Sequence, residues 1–194
     1  MRTHVSTLAI VTLTLTLGGC NVTVGGERSE QRAAIQEVVG DGKLTIDLTA
    51  PPSRADVALP EGRNTVILER DGDDPIDVTV VFRDGTRLST QALWISATAD
   101  DADSDPSTVT IRRAGDTLED LRTAVDEAVS DLGVERSRAD TALQQSEGAT
   151  DGQGDVLYSL PTDIADPDRL SLRTIAKSAR AQYAVNYIVE WGLP

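Results

Sequence analysis

The chain has 194 residues, with 32 acidic against 18 basic side chains, a net charge of -14, one cysteine (Cys20) and one histidine (His4). One cysteine rules out an internal disulfide or a cysteine-rich metal site, and one histidine rules out a poly-histidine site. Charge of this sign repels nucleic-acid phosphates, and the length suits one domain with a core of its own.

Arg2 gives the chain a basic start, Val5 to Leu17 form 13 residues without charge, and Gly18, Gly19 and Cys20 follow. A basic start, an apolar segment of about 7–15 residues and small residues at a cut are the parts of an export signal. The stretch is shorter than the roughly 20 apolar residues that a membrane-spanning helix needs.

Leu17-Gly18-Gly19-Cys20 resembles the lipobox of bacterial lipoproteins, where leucine stands three residues before an obligatory cysteine with small residues between. The resemblance implies that residues 1–19 are a cleaved signal peptide and that the Cys20 thiol receives a diacylglyceryl group and becomes the N-terminus. It also implies a membrane partner, met through acyl chains on the extracytoplasmic side, because two or more chains on one residue anchor stably.

Residues 20–40 are polar and read as a tether that holds the domain off the bilayer. Ala34, Ile35, Val38 and Val39 stand at partly helical spacing, which allows a short helix inside the tether or a helix packed on the domain. The domain itself is expected over 41–194.

Its first half alternates. Leu44, Ile46 and Leu48, then Val66 and Leu68, then Ile76, Val78, Val80 and Phe82 occupy every second position. Leu93, Ile95 and Ala97, and then Val109 and Ile111, continue the pattern. Period-two patterning with β-branched residues predicts five half-buried strands. Pro51-Pro52, Pro60-Glu61-Gly62, Asp71-Gly72, Asp84-Gly85 and the run from Asp100 to Pro106 are the turns between them. Short connections favour an antiparallel meander.

At Gly115 the period changes. Asp116 with Glu119 makes a helix start, Leu118, Leu121, Val125, Val129 and Leu132 make an apolar stripe, and Gly133 is a stop. A second helix is expected over 135–145, a strand around Val156, Tyr158 and Leu160, and a helix over about 168–180. In the tail, Tyr183, Tyr187 and Trp191 are four apart, a spacing that suits one face of a helix or of a strand, and the even spacing of Val185 and Val189 favours a strand. The whole reads as α+β: an antiparallel meander of about five strands, two or three helices packed on the sheet, and a strand at the C-terminus.

After signal cleavage the chain would hold neither an imidazole nor a free thiol, which excludes Ser-His-Asp, Cys-His and histidine-ligated zinc or haem chemistry. Paired carboxylates can hydrolyse glycosides, but six aromatic residues furnish few sugar platforms. Asp101, Asp103 and Asp105 alternate like the first ligands of a calcium loop, yet Pro106 and Arg112 stand where such a loop needs glycine and a bidentate glutamate. Asp71, Asp73, Asp74 and Asp77 make a second acidic turn, and both turns read more simply as solvated hairpin loops. Thr174-Ile175-Ala176-Lys177 spaces a hydroxyl and an amine by one helical turn but lacks the companion motifs of serine acyl enzymes. No glycine-rich loop joins a strand to a helix, so nucleotide binding lacks support.

Tyr183, Tyr187 and Trp191 are candidates for a recognition surface, with core packing as the plainer reading. The expected function is a non-catalytic binding or interaction module of the cell envelope, without a cofactor, whose acidic charge favours a basic protein partner or cations. The alternative is a secreted carboxylate-dependent hydrolase or a Ca²⁺-stabilised module.

Overall fold

Alternating β-branched residues do form strands. The structure is a computed structural model that describes residues 24–47, 52–70, 74–82, 84–147, 155–161, 169–177 and 182–190, with 24–28, 114, 155–161, 169–177 and 182 described by their backbone alone. The first half holds α1 (Val24–Val39), β1 (Lys43–Asp47), a short 3-10 turn (Ala55–Val57), β2 (Thr65–Leu68), β3 (Ile76–Val81), β4 (Arg87–Ala92), β5 (Trp94–Ala99) and β6 (Pro106–Gly115). Then come α2 (Leu118–Leu132), α3 (Arg136–Glu147), β7 (Asp155–Pro161), β8 (Arg169–Lys177) and β9 (Gln182–Glu190). The fold is α+β, helices follow the first run of strands, and the C-terminal strand is present.

The strands are divided between two sheets. A small sheet has the order β1-β3-β4, and a large one the order β2-β5-β6-β9-β8-β7. The large sheet is antiparallel throughout, and among the described residues the one parallel pair is β1 with β3. A simple meander would pair β1 with β2; instead β2 joins β5 in the other sheet. β4 and β5 are separated only by Leu93, so one extended segment passes from the small sheet to the large one. β4 was not expected as a strand because its buried series is Leu88, Thr90 and Ala92, in which only Leu88 is strongly apolar.

One side of the large sheet is core. Val66 and Leu68, Ile95 and Ala97, Val109 and Ile111, and Val185, Tyr187 and Val189 are all buried. Their register aligns Val66 with Ala97, Ala97 with Val109, and Ile111 with Tyr187. α2 lies against β6 and β9, and α3 against β7 and β8. Ile67, Thr98 and Thr110, of the other parity, are half-buried or exposed, and the Arg112 guanidinium sits 5.6 Å from the Trp94 ring centroid.

α2 is held at both ends. Thr117 is extended and its side chain accepts the Asp120 N–H at 3.1 Å, while Asp120 Oδ2 accepts the Thr117 N–H at 2.9 Å. The capping pair is therefore Thr117 with Asp120, one residue beyond the expected Asp116 and Glu119. The stop is Gly133, at φ +65°, a left-handed conformation that glycine adopts without a Cβ penalty. Leu121, Ala124, Val125, Ala128 and Leu132 face the core.

Residues 24–39 form α1, the packed-helix alternative to a plain tether: Val39 is fully buried and Ala34, Ile35 and Val38 pack against the core. One segment departs from expectation. Residues 169–177, read as helical from their helix-forming alanine and arginines, form β8 instead. β8 pairs with β7 on one side and β9 on the other, and this two-sided ladder overrides a weak local preference.

Candidate functional site

The lipobox residues Leu17, Gly18, Gly19 and Cys20 lie outside the described residues, as do Trp191, Asp71 and Asp73. No helix among the described residues is long and apolar enough to cross a membrane.

The Asp101–Asp105 turn is closed on its own backbone. Asp101 Oδ1 accepts the N–H groups of Asp103 at 2.9 Å and Ser104 at 2.7 Å. These bonds, that of Asp103 first, hold the Asp101 carboxyl below the usual carboxylate range. Asp105 Oδ1 accepts the Arg54 N–H at 3.1 Å, and the Arg54 guanidinium donates to the carbonyls of Ser104, Pro60 and Arg63. A guanidinium of the same chain is thus tied to this acidic turn through the Ser104 carbonyl. Among the described residues no three Asp, Glu, His or Cys are grouped to hold a metal ion. In the second acidic turn Asp74 stands 3.8 Å from Arg70, and Asp77 accepts from Gln91 Nε2 at 3.2 Å.

Tyr187 belongs to the core rather than to a recognition surface, because it is fully buried. Strand geometry explains this: Tyr183, Val185, Tyr187 and Val189 share one parity of β9, and that parity faces the helices. Tyr183 is half-buried against the same core. Thr174 and Lys177 fall in β8, where the one-turn helical spacing that would bring them together does not arise.

Two concavities among the described residues bear on function. The first is a groove of about 860 Å³ between α1 and the segment from Arg54 to Arg63. Ala34, Val38, Leu44, Ala58 and Leu59 give it an apolar lining; Glu30, Glu37, Asp56 and Glu61 supply carboxylates, and Arg54 and Arg63 the only guanidiniums.

The second is a polar cleft of about 360 Å³ where the small sheet meets β6 and α2. Alternation builds it. The inward series Val109, Ile111 of β6 continues with Arg113, and the inward series of β4 places Thr90 between Leu88 and Ala92. Arg113 forks onto Glu127 of α2, one nitrogen to each carboxylate oxygen. Burial opposes the guanidinium charge, but the Glu127 bond and charge outweigh it and leave the Arg113 pKa raised.

Behind this pair lie the Tyr187 and Thr90 hydroxyls. Neither has a partner at full hydrogen-bond geometry, although the Tyr187 hydroxyl lies within interaction range of both Thr90 and Arg113. Burial pushes the Tyr187 phenol above its ordinary range while Arg113 pulls the other way, so the phenol stays protonated and is a donor. Leaving such a buried group unsatisfied costs about 1–3 kcal/mol. The sequence signal for this cluster was present: a polar residue inside an otherwise apolar period-two series. Asp77 and Glu127 both line the cleft, but Glu127 is engaged by Arg113 and no aromatic side chain lines it.

Compared with known proteins, the chain matches no family model, no curated protein and no solved structure.

Proposed function

We propose that the protein is a lipid-anchored extracytoplasmic bacterial lipoprotein that acts by binding, docking a basic, partly apolar segment of an envelope protein in the groove beside α1. The observation that carries the anchor is Leu17-Gly18-Gly19-Cys20 behind 13 uncharged residues. The groove supports the binding role. Its floor is apolar, four carboxylates face two guanidiniums at its rim, and Arg54 is already occupied by three backbone carbonyls. Such a rim attracts a basic segment and repels an acidic one, and the charge of -14 adds steering from a distance. α1 starts four residues after Cys20, so an anchored chain carries the groove close to the bilayer surface.

A fatty-acid probe fed to expressing cells should label the wild type and leave Cys20→Ala unlabelled; equal labelling ends the anchor. For the groove, an amphipathic Leu/Lys peptide should bind and a Leu/Glu counterpart should not. Replacing Glu30, Glu37 and Glu61 by glutamine should weaken the Leu/Lys peptide by roughly tenfold. The same charge removed on the helices, by Glu119→Gln, Asp131→Asn and Asp140→Asn, should change little. If the two triple variants weaken binding equally, the groove is not the docking site.

A further inference from the structure

We propose that the cleft beside Arg113 binds a neutral polyhydroxylated small molecule, of about the size of one sugar ring. It is distinct from the groove beside α1 and does not depend on the anchor. Seven of its eight lining residues are polar. Thr79, Ser89 and Gln91 each both donate and accept, Asp77 and Glu127 accept, and Arg113 donates; a ring of hydroxyls needs this mixture because each hydroxyl is itself donor and acceptor.

The inner end supplies a reason for a ligand. Thr90 is only 8% exposed, yet its Oγ1 has no partner at full hydrogen-bond geometry. Thr90 lines the cleft, so one ligand oxygen beside it would satisfy its hydroxyl. A single ordered water could do the same at that spot, but the cleft is larger. At roughly 30 Å³ per water-sized group, 360 Å³ holds about a dozen non-hydrogen atoms, the content of a hexose.

Charge selects among polar ligands. Two carboxylates against one guanidinium, itself paired, disfavour an anion. Arg113 at the wall disfavours a cation. A neutral polyol avoids both penalties and keeps the Arg113–Glu127 fork intact.

The test is a titration of the whole mature chain with glucose, galactose, mannose and myo-inositol, with glutamate and putrescine as charged probes, followed by backbone amide shifts in NMR. At least one of the four polyols should bind in the millimolar range and shift the amides of residues 89–91 and 113. Thr90→Val keeps the shape and removes a hydroxyl, so it should weaken binding about tenfold while the melting temperature stays level or rises. Gln91→Ala, at an exposed position of β4, should weaken binding without unfolding the chain. The proposal is overturned if none of the four polyols binds, if glutamate or putrescine binds in preference, or if Thr90→Val leaves the affinity unchanged.

Discussion

α2 and α1 are both laid against the sheets, but they are held in different ways. α2 has a capping box at its start, a left-handed glycine at its end and five buried residues on one stripe. It is also clamped laterally, by Arg113–Glu127 to β6, and by Arg122–Glu147 and Asp126–Arg136 to α3. α1 is longer by one residue, yet among its described side chains only Val39 is fully buried, and Ala34, Ile35 and Val38 are partly so. Helical stability in a folded protein comes mainly from packing of an apolar face. α2 is therefore part of the core, while α1 packs on the core through Ala34, Ile35, Val38 and Val39 and forms a wall of the groove.

The sharpest break of that contrast is a truncation in each helix. Leu121→Ala in α2 should cost about 2–5 kcal/mol in urea unfolding, because Leu121 is 2% exposed and its removal leaves a cavity. Ile35→Ala in α1 should cost under about 1.5 kcal/mol, since only part of that side chain leaves water. Equal costs would mean that α1 is core after all. Next in size, Thr117→Ala and Gly133→Ala should each cost about 1 kcal/mol, the first by removing the cap and the second by forcing a Cβ into positive φ. Both should raise hydrogen exchange in α2 and leave α1 unchanged.

The smallest effect is acid sensitivity. Asp120, bonded first to the Thr117 hydroxyl, has a folded-state pKa below its ordinary value; so do Asp84, through the Thr86 N–H, and Asp101, through the Asp103 N–H. A depressed carboxylate stabilises the fold above its unfolded pKa of about 3.9 and loses that contribution as pH falls through the folded value. Urea midpoints should hold steady from neutral pH to about 5 and decline below about 4. Asp120→Asn should flatten part of that decline.

The legible parts of the fold were those where pattern and packing agree. α2 carried an unbroken stripe between a cap and a glycine, and β9 carried valines at even spacing between its tyrosines. β4 was hidden because Thr90 interrupts its apolar series, and the same interruption builds the polar cleft. β8 was misread because helix-forming residues occupy the middle of a sheet, where neighbours on both sides decide. α1 was under-read because its apolar residues cluster at one end. The proposed anchor rests on Leu17-Gly18-Gly19-Cys20, a local motif that needs no tertiary partner to be read. The groove was not, since its walls come from residues 30–44 and 54–63, which only folding brings together.

The central claim is that Cys20 ties this domain to a membrane, and mass spectrometry of the mature chain extracted from membranes tests it most directly. The account predicts a chain that begins at Cys20 and carries a diacylglyceryl group on its sulfur. A mature chain that begins elsewhere, or that retains Cys20 as a free thiol, would contradict it.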